Sequence, residues 1–532
     1  MSRLAITGGT VIDGTGAPGY RADVGLAEGR IVAIGEPFAA ERVIDATGCV
    51  VAPGFIDLHT HSDLSLLVDR RGWSKLTQGV TCEVVGNCGM SPAPPLADRR
   101  QREAMTYMDQ DLDWTWPDYP SFVRQLEGCA LNVASFVGHI ALRSAVMGFE
   151  QRPPTATELE TMRVLLRDCL AAGAVGLTSG LIYAPSCYAD QTELAALAAV
   201  VAEAGGLYAS HIRGEGRTLQ QSIAECIETG RQAGCRVQVS HLKAAGRAHW
   251  GGVHAAIAQI EAARAEGVDV AMDVYPYAAG STQLSALLPP WAHDGGLEAM
   301  LARLAEPEVR ERIKSEALDP PPSWPGYALK ERIEWEERII SYVGAPELGW
   351  CLGRSLQELA EAFGLHPYDA VCELLIRDGG RPQFVAHHLC EADVRTVLRH
   401  PLSAIASDGL AVAPDGPLGA GRPHPRFYGT FPRVLGLYAR DEGLFSLPEA
   451  VRKMTSCPAA RLGWTDRGRA VVGCRADLVV FDPATVGDRA TFEQPHQRAE
   501  GIRTVIVNGE PVWSEDRVAA ARPGRLLTLS TP

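Results

Sequence analysis

The 532-residue sequence lacks the features of several protein classes. No apolar run approaches the roughly 18–20 residues that a membrane span needs. Basic residues are outnumbered by acidic ones, 50 to 64, and the net charge of −14 disfavours contact with nucleic-acid phosphates. The first residues, MSRLAITGGT, lack the apolar core of a secretory signal. We therefore expect a cytoplasmic protein without nucleic-acid or membrane partners; the oligomeric state stays open.

Paired cysteine spacings are also absent. The 13 cysteines, an odd number, are scattered from Cys49 to Cys474, which indicates reduced thiols that mostly lie in the core. Hydrophobic residues make up 46% and charged residues 21%, as is typical of a folded globular protein. Lysine is scarce, with five residues beside 45 arginines, so a lysine near a candidate site is informative.

Short apolar runs separated by turns occupy both ends of the chain. Residues 1–50 contain LAITGG, TVIDGTG and RVIDATG, and the tail contains RADLVVFDP, IRTVIVNGE and PVWSEDRV. Strands joined by Gly and Asp turns give this pattern. We predict one small β-sandwich domain built from residues 1–50 and 466–532.

Residues 51–465 have a different rhythm, in which apolar segments alternate with helical stretches. Two predicted helices start with capping-box spacing, at Thr155 with Glu158 and at Asp190 with Glu193, and the second runs into Gly205. Buried runs followed by helices favour parallel βα units, here an α/β fold of the (β/α)8 TIM-like barrel type with its chemistry at the C-terminal ends of the strands. The predicted strands are Val51–His59, Gly79–Val85, Leu131–His139, Gly173–Gly180, Leu207–Arg213, Arg236–Lys243, Val268–Tyr275 and Leu402–Asp408.

The connection between the last two predicted strands is too long for a structureless loop. It contains the helical stretch LEAMLARLAEPEVRERIKSEAL and a Pro-rich break, DPPPSWPG. We predict a helical subdomain inserted at residues 283–380, between strands 7 and 8. Its position above the catalytic face makes it a candidate lid.

Histidines and one aspartate lie at the ends of four predicted strands. GFIDLHTH ends in His59 and His61, and alternate residues of a strand share one face, so both imidazoles point the same way. A lone His-x-His pair is a weak signal. His211 in YASHIR, His241 in VQVSHLK and Asp408 in AIASDG end three further strands. Each residue alone is more often structural, but their agreement indicates a metal site.

One cysteine stands out by its neighbours. Cys88 lies in EVVGNCGMSP, just past the second predicted strand, between Gly86 and Gly89. Flanking glycines permit a tight turn in which the backbone approaches a bound ion. Thiolate and imidazole together are a good zinc donor set. The other twelve cysteines are interpreted as buried thiols.

This constellation resembles the amidohydrolase superfamily and, within it, the N-acyl-D-amino-acid deacylase (D-aminoacylase) family, over nearly the whole chain. The superfamily often bridges two metal ions with a carboxylated lysine on strand 4, yet GAVGLTSG here contains no lysine. GNCG instead looks like the D-aminoacylase cysteine ligand. The resemblance implies one tight zinc held by Cys88, His211 and His241. It also implies a second site, weak or empty in this family, formed by His59, His61 and Asp408 with Cys88 as an optional shared ligand.

The resemblance also assigns a catalytic base. Asp408 would take a proton from the attacking water and deliver it to the departing amine. Tyr275 and Ser281 in VYPYAAGST match the family's tyrosine, which assists the carbonyl oxygen, and its serine, which helps to bind the carboxylate. Tyr277 is an alternative for the tyrosine role.

A substrate carboxylate has candidate partners too. HPRFYGTFPRVLG is similar to the family's HPR-x-x-G-T-F-P-R stretch, which puts Arg426 at the carboxylate-binding position. Lys243 follows His241 by two residues, so the strand pleat sends it the same way. The loop between Asp408 and His424 is longer than the family pattern leads us to expect and borders the site.

The sequence therefore predicts an enzyme: a zinc-dependent hydrolase of linear amides that splits N-acyl-D-amino acids, which are small molecules, into a carboxylate and a free D-amino acid. A cyclic-amide hydrolase of the hydantoinase or dihydroorotase kind is the nearest rival, disfavoured by the missing strand-4 lysine and by the HPR segment. A metal-binding barrel without catalysis is a second rival, disfavoured by the presence of every expected ligand. Family members divide between apolar and acidic D-side chains, and no residue of the sequence decides between the two.

Overall fold

The computed structural model describes residues 3–94, 102, 112–318, 320, 334–514 and 516–529. None of the described helices is long and apolar enough to cross a membrane. The α-helices and one π-helix (Val434–Asp441) span Ser65–Val68, Trp73–Leu76, Tyr119–Gln125, His139–Met147, Ala156–Ala171, Gln191–Glu203, Leu219–Ala233, Gly252–Ala265, Leu297–Ala305, Pro307–Leu318, Leu356–Phe363, Pro367–Arg377, Glu391–Arg399, Arg426–Arg433, Val434–Asp441, Leu447–Met454 and Ser456–Arg461. Short 3-10 helices span Ser186–Tyr188, Arg247–His249, Leu284–Leu287, Pro290–His293, Trp335–Glu337 and Pro346–Cys351.

Parallel strands with intervening helices form the centre of the molecule, which confirms the predicted α/β class. One sheet has the order Leu526–Leu527, Asn132–Ser135, Val80–Val85, Phe55–Asp57. The other has the order Val137–Gly138, Gly176–Gly180, Leu207–His211, Arg236–Val239, Val270–Val274, Ser403–Ile405. Most of these strands are buried on both faces, as expected for strands covered by helices.

Backbone contacts link the two parallel sheets at both of their junctions. Ser135 O accepts a hydrogen bond from Val175 N at 3.0 Å. At the other junction Thr60 and Gly409 form a parallel bridge, and Asp408 N donates to His59 O at 2.9 Å. The C-terminal ends of the first and last parallel strands therefore lie side by side.

The helix starts follow the predicted caps, with one difference. Thr155 and Glu158 form a complete capping box. Asp190 accepts from Glu193 N at 2.9 Å, but the Glu193 carboxylate bonds to His139 and Arg143 instead of reaching back to the cap. A buried imidazole and guanidinium need a partner more than an exposed backbone amide does.

The first predicted strand, Val51–His59, is in fact two strands of different sheets. Val50–Pro53 pairs antiparallel with Leu478–Phe481, whereas Phe55–Asp57 pairs parallel with Val80–Val85. The chain passes from one sheet to the other at Gly54. A Cβ at this position would lie 2.1 Å from Thr81 Cγ2, so the crossing requires glycine.

Strands from both chain ends share one sheet. Its order is Arg517–Val518, Glu510–Ser514, Ile502–Val507, Leu478–Phe481, Val50–Pro53, Thr10–Val11, Tyr20–Arg21. A second sheet has the order Arg30–Ile34, Val24–Ala27, Leu4–Thr7, Arg42–Asp45, and side chains of both sheets share an apolar cluster. Leu526–Leu527 departs from the prediction, since it pairs with Asn132–Ser135 of the parallel sheet.

The predicted insert is helical only in part. Helices between Leu297 and Arg377 pack around an apolar cluster of their own. The same region contributes to an antiparallel sheet that the sequence did not predict, with the order Gly280–Gln283, Gln383–Ala386, Arg338–Tyr342. The Pro-rich break lies for the most part outside the described residues.

A buried ion cluster links the first, second and last parallel strands. Lys75 Nζ donates to Asp57 Oδ2 at 2.8 Å and to Ser407 Oγ at 2.7 Å, and lies 3.2 Å from Glu83 Oε1. The three charged side chains are fully buried. Burial raises the pKa of Glu83, while Lys75 opposes that rise. One lysine therefore balances two buried carboxylates.

Replacing Lys75 with methionine should destabilise the fold strongly. Asp57 and Glu83 would then face each other in the core without a cation, and breaking a buried ion pair costs about 3–5 kcal/mol. Thermal unfolding measures the effect. Lys314→Met is the matched control, because Lys314 pairs with Asp369 at 2.9 Å near the surface and such pairs contribute about 0–1 kcal/mol. Equal losses in the two variants would contradict the assignment.

Candidate active site

The predicted metal ligands converge beyond the C-terminal ends of the parallel strands. His59 and His61 follow Phe55–Asp57, Cys88 follows Val80–Val85, His211 ends Leu207–His211, His241 follows Arg236–Val239 and Asp408 follows Ser403–Ile405. All six side chains are buried. Parallel strands end on the same side of a sheet, which explains how residues so distant in sequence meet.

Four of these residues form one donor group. His59 Nε2 lies 3.2 Å from Cys88 Sγ and 3.5 Å from Asp408 Oδ1. Cys88 Sγ lies 3.6 Å from His241 Nε2. One donor atom from each of the four lies within 4.8 Å of the others. His61 joins at the edge, with Nε2 3.0 Å from Asp408 Oδ1.

His211 belongs to a second donor group with His241 and Glu215. The His211 and His241 rings meet edge-on, with centroids 4.4 Å apart. Within the described residues, neither ring nitrogen of the buried His211 makes a hydrogen bond. A buried imidazole with both nitrogens unbonded is costly unless a ligand completes it. His241 is common to the two groups.

The electrostatics keep both anionic donors ionised. Burial raises the pKa of Cys88, but the charge of His59 and the close approach of His59 and His241 to the sulfur outweigh it and hold the pKa well below its usual value. Burial likewise raises the pKa of Asp408, and Arg426 with neighbouring histidines brings it well below the usual range. A thiolate, a carboxylate and imidazoles in one buried space are a donor set that fits zinc.

The backbone at three of the donors is strained. Cys88, His241 and Asp408 have φ values of 53°, 36° and 50°, in the left-handed region that non-glycine residues rarely adopt. Such conformations cost of the order of 1–3 kcal/mol each and persist where the surroundings impose them. His241 N, for example, donates to Asp273 Oδ1 at 2.8 Å. The left-handed backbone conformation directs these three side chains toward the other donors.

A cavity of about 460 Å³ opens beside the donors. Every site residue predicted from the sequence lines it except His59. Tyr275 lines the cavity, whereas Tyr277 packs edge-on against His424 with centroids 5.2 Å apart. Of the two tyrosines left open by the sequence, Tyr275 has the position suited to contact a substrate.

Two cationic side chains stand at the cavity wall, each with a protein partner. Arg426 Nη1 lies 2.8 Å from Asp408 Oδ2, and Nη2 donates to Ser281 O at 3.3 Å. Its guanidinium lies 4.8 Å from the centre of the Tyr275 ring. Lys243 Nζ donates to Glu215 and lies 2.8 Å from His241 Nδ1.

Two carboxylates of the site were not foreseen from the sequence. Glu215 Oε1 lies 3.2 Å from His241 Nδ1, and Asp273 Oδ1 lies 3.3 Å from His59 Nδ1. Carboxylates behind metal-binding histidines fix which ring nitrogen faces the metal. Asp273 is a lone acid in the buried strand Val270–Val274, a signal that could have been used. Glu215 lies in a loop, where spacing gives no orientation.

Comparison with known proteins agrees with this geometry. The family model described as "Amidohydrolase family" matches residues 42–316 and 353–513. A D-aminoacylase of Alcaligenes xylosoxydans xylosoxydans is 40% identical over 528 residues, which cover 98% of this chain and 97% of that protein. An N-acyl-D-glutamate deacylase of the same organism is 40% identical over 531 residues, covering 98% and 96%.

A solved structure is similar along its whole length. The N-acyl-D-glutamate deacylase of Bordetella bronchiseptica, crystallised with zinc and a phosphonate inhibitor that mimics the tetrahedral intermediate, has a TM-score of 0.83 at 36% identity. The similarity covers 99% of each chain.

We predict that the purified protein carries about one tightly bound zinc, and that Cys88→Ala releases most of it, because a thiolate donor is lost. Elemental analysis after dialysis measures the loading. Cys82→Ala is the control, since burial, together with nearby carboxylates, raises the pKa of that thiol and keeps it protonated. Undiminished zinc in Cys88→Ala would show that the ligand assignment is wrong.

Proposed function

The chain belongs to the amidohydrolase family, and from this premise we propose that it hydrolyses the amide bond of N-acyl-D-amino acids, with zinc as cofactor, to a carboxylate and a free D-amino acid. The observation that carries the proposal is the meeting of two features in one cavity. Thiolate, imidazole and carboxylate donors line this cavity, and so do the cations Arg426 and Lys243, which lie next to the donors Asp408 and His241. An N-acyl amino acid has an amide carbonyl that suits a metal site and a carboxylate that suits a cation, so it needs both features.

The proposal includes a closed (β/α)8 barrel, a β-sandwich domain from both chain ends and an inserted subdomain. The hydrogen bond from Val175 to Ser135 and the bridge between Thr60 and Gly409 support closure, since they join the two parallel sheets at both junctions. The shared apolar cluster of the two terminal sheets supports the sandwich. The separate cluster of the insert supports an independent subdomain.

Proton transfer is assigned to Asp408. Bound zinc lowers the pKa of a coordinated water and polarises the scissile carbonyl. Asp408 is ionised and lines the cavity, so it is ready to accept a proton from the attacking water and to pass it to the amine nitrogen. Burial raises the pKa of Tyr275 well above its usual value, so its hydroxyl stays protonated and is able to donate to the carbonyl oxygen.

The substrate carboxylate is assigned to Arg426, with help from Lys243 and Ser281. A planar guanidinium binds a carboxylate through two hydrogen bonds, which fixes its orientation. With the carboxylate held and the amide carbonyl at the metal, the two enantiomers send their side chains in different directions. Stereoselectivity follows from those two anchors.

The rival activity on cyclic amides has less support. Strand Gly176–Gly180, GLTSG, holds no lysine that could be carboxylated between two metal ions. A linear N-acyl amino acid also presents a free carboxylate, which suits the two cations of the cavity better than a neutral ring does.

Asp408→Asn should remove the base while keeping its shape. General acid–base catalysis contributes about 10²–10⁴-fold, and we expect kcat to fall by that factor while tight zinc remains. Asp415→Asn is the control, because Asp415 is an exposed carboxylate of the same loop that pairs with Arg71. Near-normal turnover in Asp408→Asn would rule out its role as the base.

Arg426→Met should raise KM sharply for N-acetyl-D-amino acids, with a loss of about 2–5 kcal/mol of interaction. Because Arg426 also contacts Asp408, the ratio of kcat/KM for the acid to that for its neutral amide isolates carboxylate binding. Arg433→Met is the control, since Arg433 lies on the same helix but pairs with Asp488. Equal efficiency of the wild type on acid and amide would discard the assignment.

A further inference from the structure

A second cavity, of about 610 Å³, adjoins the one that holds the metal donors. Ile182 and Tyr183 line both cavities. The Tyr183 ring meets the His211 ring edge-on at 5.2 Å, and its hydroxyl lies 2.8 Å from Thr282 Oγ1. The two cavities therefore share part of their wall, and we call the second one the apolar recess.

The walls of the apolar recess come from two parts of the chain. Ile140 lies in helix His139–Met147, which follows a parallel strand, and Phe149 lies just after this helix. Leu297 and Met300 belong to helix Leu297–Ala305 of the insert. Met90 adds a further flexible apolar side chain close to Cys88. Flexible and aliphatic side chains of this kind adapt to apolar groups of different shape.

Among the described residues, none that line the apolar recess is a lysine, arginine, aspartate or glutamate. The histidine among these lining residues is His293. Burial lowers its pKa to about 4, and its Nε2 donates to Ser285 O at 3.1 Å, so the ring is neutral near pH 7. A carboxylate placed in this recess would meet no cationic side chain among the lining residues, and Arg303, whose charge acts on His293, donates to the backbone carbonyls of Ala292 and Asp294.

We propose that the apolar recess receives the side chain of the D-amino acid, so that neutral apolar side chains are preferred over acidic ones. The inference rests on the proposed function, in which Arg426 holds the α-carboxylate. Ser281 O accepts a hydrogen bond from Arg426, and the next residue, Thr282, contacts Tyr183 of the shared wall. The side chain branches from the carbon that bears the carboxylate, so it starts next to this wall.

The first test compares N-acetyl-D-amino acids whose side chains have similar length. N-acetyl-D-norleucine and N-acetyl-D-methionine should exceed N-acetyl-D-glutamate in kcat/KM by about 100-fold or more, because an unpaired buried carboxylate is strongly disfavoured. Each buried methylene in the series D-alanine, D-norvaline, D-norleucine should add roughly threefold to fourfold. A preference for D-glutamate, or no dependence on side-chain length, would overturn the proposal.

The second test fills the recess. Ala286 lines it, and Ala286→Leu should lower kcat/KM for N-acetyl-D-norleucine about tenfold while N-acetyl-D-alanine changes little. Ala302→Leu, on the exposed face of the insert helix Leu297–Ala305, is the matched control. An equal loss for D-alanine and D-norleucine would overturn the proposal.

Acyl chains test the alternative occupant of the recess. N-hexanoyl-D-alanine and N-acetyl-D-alanine should respond alike to Ala286→Leu. If the hexanoyl substrate is penalised and N-acetyl-D-norleucine is not, the recess binds the acyl chain and the proposal is overturned. Absence of hydrolysis of every N-acyl-D-amino acid would overturn the proposed function itself, whereas hydrolysis that favours D-glutamate overturns the recess assignment alone.

Discussion

The pairing of the buried Asp408 carboxylate is the interaction on which the site depends. Its Oδ2 lies 2.8 Å from Arg426 Nη1, and its Oδ1 lies 3.0 Å from His61 Nε2 and 3.5 Å from His59 Nε2. A buried charge must be met by partners, so the position of this one carboxylate ties the arginine to the metal donors. The group proposed to move the proton is thereby fixed between the group proposed to hold the substrate and those proposed to hold zinc.

This arrangement needs a rigid support, because strained backbone relaxes unless its surroundings prevent it. The Lys75 cluster lies next to the ligands in sequence: Asp57 precedes His59 by two residues, and Ser407 directly precedes Asp408. Ser407 N also donates to Asp57 Oδ1 at 2.9 Å. The lysine therefore holds the first and last parallel strands together at the level where His59 and Asp408 leave them. The stability of the core and the geometry of the site rest on the same ion cluster.

Sequence reasoning was effective where geometry repeats. The alternation of a strand and the common direction of parallel strands were sufficient to bring His59, His61, His211, His241 and Asp408 to one region. It was less effective where contacts between distant segments determine where a strand ends or where a side chain points. Gly54 divides two strands because Thr81 leaves no room for a side chain at this position. The sequence shows a lone glycine in an apolar run but does not show which residue packs against it. Glu215 approaches His241 from a loop, whose direction follows no period.

The grouping of the ligands around metal ions stays a prediction. The resemblance implies a tight site of Cys88, His211 and His241 and a second site of His59, His61 and Asp408 with Cys88 as an optional shared ligand. The structure brings donor atoms of Cys88, His59, His241 and Asp408 within 4.8 Å of one another, and a second group joins His241 with His211 and Glu215. His241 is common to the two donor groups of the structure. Strand order accounts for its contact with His211, since Arg236–Val239, which precedes His241, pairs directly with Leu207–His211.

The chemistry and the proposed selectivity have separate origins in the chain. The donors and Asp408 come from the ends of parallel strands, where mutual contacts leave little freedom to change. Leu297 and Met300 come from the insert, which packs around its own apolar core and lines the apolar recess. A residue of the insert can change without disturbing the buried charges at Asp408. One catalytic centre is therefore compatible with different side-chain preferences, set by the surface that the insert presents to it.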